Sequence, residues 1–458
     1  MTPVPPRRVP PGPSGPGHLS TLWQLGRDRL GMMTSAANTY GDAVRLGPGS
    51  RALYFFNHPD HAKHVLADNS QNYHKGIGLV HARRALGDGL LTSEGELWRK
   101  QRKVIQPVFQ ARRIAQQAGV VAAEADRLVD RLRARVDGEP FDLPRELTAL
   151  TLGVLGRTLL DTDLDGYSSL SHSFEAMQDQ AMFELASMSM VPMWVPLPKQ
   201  LRFRRARRDL QRIVDQMVAE RQGRDGADDN DALACLIRST REESDPEVGR
   251  QRLRDEMVTL LLAGHETTAS TLSWSFYMID RHPEVRERLR AEAVQVLGDR
   301  LPVHEDLHRL TYTSMVISEV MRLYPPVWML SRIAQGPDEV GGYPVRAGRD
   351  VLICPFTLHR HPEFWAEPER FDPERFDPAN TVSRSRYAYL PFGAGPRFCV
   401  GNHLGLMEAA FVIAMVTREL RLTVQPGYQV VAEPMLSLRI RGGLPVRVRP
   451  AGSAGSPG

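Results

Sequence analysis

The chain has 458 residues, 42% of them hydrophobic and 24% charged, an ordinary composition for a globular protein with a large core. Its net charge of +4 is small for that length and gives no case for a nucleic-acid partner. Three cysteines, Cys235, Cys354 and Cys399, offer no disulfide framework and no C-x-x-C metal pair, which points to a reducing, cytoplasmic setting. No signal pattern and no apolar run of about 18 residues occurs, so no membrane span is expected.

Residues 1–18 are proline-rich and read as a disordered lead-in, and 450–458 as a disordered Gly/Ser/Pro tail. Leu19–Tyr40 reads as a helix, followed by strands at Ala43–Leu46 and Ala52–Phe56 with a turn at Gly47-Pro48-Gly49-Ser50. His58-Pro59-Asp60 starts a helix to about Asp68. Residues 69–94 carry many glycines and little period and read as a long loop. Glu94–Phe109 is helical, with Trp98 and Arg102 at i, i+4 on one face. Helical patterns continue through Ala111–Val136, Pro144–Leu160, Ser171–Met190 and Arg202–Arg224, the basic run Arg202–Arg208 reading as a solvated face. Five of the 17 methionines lie between Met177 and Met193, which suits either a polarizable surface over an apolar ligand or ordinary helix packing. Gly223–Asp231 is a polar loop.

Leu253–Arg281 is the longest apolar-periodic segment, about 43 Å if wholly helical. Its His265, Glu266, Thr267 and Thr268 argue against a membrane span, because such groups are costly in lipid. Gly264 would let this helix approach a cofactor closely, beside a titratable acid, Glu266, and a hydroxyl, Thr267, that can bond back to the carbonyl four residues earlier. His265-Glu266 is no zinc H-E-x-x-H site, since position 269 is Ala. Tyr312–Leu323 is a helix with Glu319 and Arg322 at i, i+3. Pro325-Pro326 ends it, a strand-like stretch with Val327, Trp328, Met329, Leu330 and Arg332 follows, and short strands are expected at Val340–Val345 and Val351–Pro355. Residues 362–391 read as irregular. Phe392–Gly401, FGAGPRFCVG, places Cys399 before an apolar helix to about Leu420, where unpaired N–H groups and the helix dipole favour a thiolate. A terminal hairpin is expected to turn at Gly442-Gly443.

In order, W-x-x-x-R, A-G-x-E-T-T, E-x-x-R and F-x-x-G-x-R-x-C-x-G resemble the cytochrome P-450 superfamily, over about residues 20–449. The resemblance implies a mostly α fold with smaller β-sheets (α+β), one catalytic domain over 19–449, and haem b between the central helix and the cysteine loop. Cys399 would be the axial iron ligand, with Trp98, Arg102, Arg332, Arg397, Gly264 and Phe392 around the haem. Glu266 and Thr267 would guide protons to bound oxygen, and Glu319, Arg322 and Arg375 would form a structural charge cluster. Val327, Trp328, Met329, Leu330, Met435 and Met182 are the substrate-pocket candidates, with Pro434–Leu438 closing the pocket. The implied activity is insertion of one oxygen atom from O2 into an apolar small molecule, such as a terpenoid, fatty acid or polyketide, in secondary metabolism. Lacking a G-x-G-x-x-G after a strand and ferredoxin-type cysteine spacing, the chain is expected to draw electrons from an external ferredoxin and ferredoxin reductase. A monomer is expected. The alternatives are a haem-thiolate peroxygenase or isomerase that does not use O2, and a non-enzymatic haem sensor.

Overall fold

A 36-residue helix, Pro246–Arg281, runs through the structure, a computed structural model that describes residues 9–14, 27–49, 52–164, 170–222, 231–241, 243–382 and 384–452. It begins seven residues before the apolar period does, because Asp245 caps it by accepting the Glu247 N–H at 2.8 Å and Pro246 occupies the first turn. At 1.5 Å per residue it is about 54 Å long. Helix Leu143–Leu159 packs along it, and helices Ala232–Arg241, Thr311–Leu323 and Asn402–Glu419 also pack against it. Their buried faces join one large helical core that includes Leu155, Leu261, Phe276 and Phe411.

The strands are β1 (Ala43–Leu46), β2 (Leu53–Phe56), β3 (Tyr73–Lys75), β4 (Phe141–Asp142), β5 (Leu330–Ala334) and β6 (Asp338–Val340). They continue with β7 (Tyr343–Val345), β8 (Asp350–Ile353), β9 (Leu420–Val424), β10 (Ala432–Pro434), β11 (Leu438–Ile440) and β12 (Pro445–Pro450). The main sheet runs β1-β2-β8-β5-β3, antiparallel except where β2 meets β8. Its own apolar cluster holds Phe56, Leu66, Ile353, Leu390 and Ala394. The fold is therefore mostly helical with small sheets, as the resemblance implied.

The segment 69–94 is not one long loop. It contains β3, which pairs with β5, and helix Ile77–Leu86. That helix buries only Ala82, Ala85 and Leu86, so its apolar period is faint, and a three-residue strand has no local signature apart from its partner. The terminal hairpin is also displaced. β10 and β11 turn at 435–437, whereas Gly442 and Gly443, at φ +75° and +90°, carry the chain out of that pair into β12. β12 pairs with β9 and β4 instead. The first part of the expected helix Leu19–Tyr40, most of the lead-in 1–18, most of the tail and most of the loop Gly223–Asp231 lie outside the described residues. Helix Arg29–Tyr40 is present. Among the described residues no helix is long and apolar enough to cross a membrane.

Candidate functional site

The cysteine loop straddles the two cores. Leu390 and Ala394 pack into the cluster of the sheet, while Phe392, Val400 and Leu404 pack against the helical core. Gly395 stands at φ +66°, and a Cβ there would lie 1.9 Å from the Leu66 carbonyl oxygen, so only glycine lets the loop seat against the turn His64–Asp68. The Cys399 N–H donates to Phe392 O at 3.0 Å, closing the loop.

Cys399 keeps a large accessible fraction, yet its surroundings desolvate the sulfur. Burial pushes its thiol up, and the N–H groups of Gly401 and Asn402 and the Arg102 charge pull it the other way. The donors expected at the helix start are therefore present but do not outweigh burial without a further positive charge. A metal ion supplies that charge and deprotonates a coordinating thiol outright.

Opposite elements converge here. Gly405, six residues after Cys399, lies against the central helix, where a methyl on it would stand 3.4 Å from the Thr268 hydroxyl. On that helix Ala263 is exposed, and Gly264 and Thr267 are partly accessible, between fully buried flanks at Met257–Leu262 and Thr268–Phe276. Thr267 Oγ1 donates to Ala263 O at 2.8 Å, the back-bond expected from the sequence. Gly264 differs from expectation. Its missing Cβ would fall 2.6 Å from Leu155 Cδ2, so the close approach it permits is to helix Leu143–Leu159. Glu266 is held by Ser437 Oγ at 2.7 Å, and burial pushes its carboxyl up against the pull of Ser437, Arg439 and Gln178. His265 faces elsewhere, its Nδ1 donating to Leu261 O at 2.6 Å and its ring against Phe174, and burial pushes it down to about 4.

The cations form one cluster. Arg397 lies over the Trp98 ring at 3.8 Å, donates to Ser93 O at 3.0 Å and pairs with Glu94. Arg102 donates to Phe398 O at 2.9 Å. Arg332 is buried and donates to Ser331 O at 2.9 Å. Burial, opposed by Glu94, pushes Arg332 and Arg397 down to about 10, which leaves both charged at pH 7. Sequence reasoning missed Lys75, buried on β3 with its Nζ donating to Leu90 O at 3.3 Å and to Leu91 O. Burial, with Arg397 and Arg332 nearby, holds Lys75 well below the usual lysine range. No local pattern marks it, since β3 is placed by pairing with β5. This excess of cations over Glu94 suits a ligand with carboxylate groups. An accessible thiol with N–H support, a partly open helix face and a cationic rim together fit a haem.

Glu319, Arg322 and Arg375 come together in one cluster. Glu319 and Arg322 are both wholly buried, bonded at 2.6 and 2.8 Å, and Arg322 also donates to His359 O, Pro368 O and Arg370 O. Arg375 Nε lies 3.4 Å from Glu319 Oε1 and its Nη2 donates to Glu367 O at 3.0 Å.

The model of the Cytochrome P450 family matches residues 10–442. The chain belongs to the cytochrome P450 family. It is 38% identical to cyclooctat-9-en-7-ol 5-monooxygenase of Streptomyces melanosporofaciens over 422 residues, covering 90% of this chain and 88% of that one. It is 35% identical to cyclooctatin synthase of the same organism over 402 residues, 87% of each chain. Pentalenene oxygenase of Streptomyces avermitilis is 31% identical over 407 residues, 88% of this chain and 89% of that one. As a cytochrome P450 the chain is a haem-dependent monooxygenase.

The pocket candidates of this P450 separate into two groups. Val327, Met329, Leu330 and Met435 are partly accessible. Trp328 is buried among Met33, Phe55, Cys354 and Leu438, and its Nε1 donates to Met435 O at 2.9 Å, so it fastens the hairpin rather than lining a pocket. Met182 and Met177 are buried, while Met188 and Met190 are 52% and 77% exposed. The methionines of 177–193 thus do not share one surface.

Proposed function

We propose that this P450 oxygenates a largely apolar, polycyclic terpenoid of bacterial secondary metabolism. The observation that carries the reading is the partly accessible apolar set Val327, Met329, Leu330 and Met435, on the stretch that follows helix Thr311–Leu323 and at the tip before β11, both of which pack against the central helix. The terpenoid names of its Streptomyces relatives choose among apolar substrates.

Cys399 would hold the haem through its thiolate, and the haem would supply oxygen activation, favoured by electron donation from that thiolate. Arg102, Arg332 and Arg397, with Trp98 fixing Arg397, would bind the haem carboxylates. Phe392 packs beside the loop and accepts the Cys399 N–H. The Thr267 hydroxyl and the Glu266 carboxyl hold and move protons on the accessible side of the central helix. Glu319, Arg322 and Arg375 keep the segment before the loop in place. Electrons come from a separate ferredoxin and reductase, and residues 19–449 act as one catalytic unit, monomeric and cytoplasmic.

Titrating the ferric protein with polycyclic terpenoids, fatty acids and macrolides tests the substrate class. A terpenoid is expected to give the largest spin-state change and an oxygenated product, and a response confined to fatty acids would overturn the reading. Cys399→Ala is expected to abolish the thiolate-type spectrum of the CO-bound ferrous protein, and survival of that spectrum would remove Cys399 from its role.

A further inference from the structure

Glu266 is the acid of the accessible stretch, yet its carboxyl is already held from outside the central helix. Its Oε1 accepts the Ser437 hydroxyl at 2.7 Å, from the tip that joins β10 to β11. Gln178, on helix Leu170–Ala186, also pulls the carboxyl down. Ser437 and Gln178 are only 2% and 4% exposed, so bulk water does not compete for the carboxyl. Successive helix positions turn by about 100°, so Glu266 projects beside the Ala263 and Thr267 face rather than from it. A change of side-chain rotamer carries the carboxyl between the hairpin side and the Thr267 side.

The rest of the tip is fastened through its main chain. Leu438 O accepts Ser270 Oγ at 2.6 Å and Trp274 Nε1 at 2.9 Å, and Met435 O accepts Trp328 Nε1 at 2.9 Å. The Ser437 hydroxyl is thus the tip's side-chain link to the acid. The same tip carries Met435, a pocket residue of the proposed function.

We propose that Ser437 is a positioning residue that holds the Glu266 carboxyl on the hairpin side, and that a substrate pressing on the Met435 tip releases it towards Thr267. Filling of the pocket and proton delivery are thereby linked, which keeps oxygen chemistry idle in the unfilled enzyme. The inference rests on Glu266 being the proton-handling acid of the proposed function. The charge acting on the contact is Arg439, itself bonded to Glu433 at 2.8 Å. His265 is turned away to Leu261 O.

The test is a cycle of Ser437→Ala, Glu266→Gln and the double variant in the haem-loaded protein with redox partners. Its readouts are product formed per NAD(P)H, the pH profile of kcat, and the substrate Kd from spin-state titration. Because three main-chain anchors remain, Ser437→Ala should fold and keep Kd within about two-fold of the parent. Loss of one hydrogen bond to a carboxylate should move the profile limb that vanishes in Glu266→Gln upward by about one pH unit. NAD(P)H consumption without substrate should rise, and Ser437→Thr should restore the parent behaviour. In the Glu266→Gln background the Ser437 substitution should change neither readout. Equal effects in both backgrounds, or a Kd change with an unmoved pH profile, would make Ser437 merely structural and overturn the proposal. A parent protein that makes no product with O2 and partners would instead overturn the proposed function.

Discussion

A buried carboxyl on the central helix carries a plain pH signature. Glu256, two helical turns before Ala263, accepts the Leu90 N–H at 3.0 Å, while its Oε1 has no hydrogen-bond partner. Burial pushes it up to about 7, against the pull of the Leu90 N–H, Gln101 and Lys75. Its folded pKa lies above its unfolded one, so the folded protein binds the extra proton between about pH 4.5 and 7. This contribution to stability is therefore full below that window and is lost as pH rises through it. Glu256→Gln keeps an acceptor for Leu90 and removes the ionisation, so it should be the more stable protein at pH 8. The difference should reach up to about 3 kcal/mol and close below about pH 4, read from denaturant midpoints across that range. Destabilisation of equal size at every pH would show that Lys75 needs the carboxylate.

At the scale of elements, helix Thr311–Leu323 is tied to the irregular segment 362–391 through the buried pair Glu319 and Arg322. Arg322 pairs with Glu319 and satisfies three carbonyls, while Glu319 accepts the Asp372 N–H at 2.9 Å. Arg322→Ala would leave a buried carboxylate and three carbonyls without their donor, a loss of about 3–5 kcal/mol. Lysine cannot reproduce the fork, so Arg322→Lys should recover little. Both are expected to lower the melting temperature and the fraction of protein that retains haem, and a parental melting temperature for Arg322→Ala would contradict the bracing role. Such elements were legible in the sequence because their chemistry is local: E-x-x-R lies on one helix face and the cysteine loop is ten consecutive residues. What escaped depends on distant pairing. β3 needs β5, the tip of β10 and β11 is set by strand exchange beyond Gly442, and Trp328 is a latch only because Met435 O folds over it. The link from Ser437 to Glu266 spans 171 positions and leaves no trace in either neighbourhood. Gly264 was legible as a close-approach position, but not which neighbour it admits.

At the scale of the molecule, the two cores meet at the cysteine loop, and the sequence holds three cysteines, too few for a cysteine-ligated iron–sulfur cluster beside the proposed haem ligand. Iron–sulfur clusters take four ligands, chiefly cysteine thiolates. Of the three cysteines here, Cys354 is buried with its Sγ 3.1 Å from Trp328 O, Cys235 lies on helix Ala232–Arg241, and Cys399 is the proposed haem ligand. Among the described residues no group of three or more His, Cys, Asp and Glu side chains is arranged to hold a metal ion. The proposed function therefore takes its reducing equivalents from another protein. Purified, haem-loaded protein should give no product with NAD(P)H alone and should begin turnover when a ferredoxin and its reductase are added. An acidic carrier meeting a chain of net charge +4 is steered by charge, so the initial rate at limiting ferredoxin should fall as salt is raised from 0.05 to 0.5 M, on the order of several-fold. The Debye length shortens over that range to a few ångströms, so exposed charges no longer guide the encounter. A rate indifferent to salt would place the barrier after docking, whereas product from NAD(P)H alone would show an electron path within the chain itself.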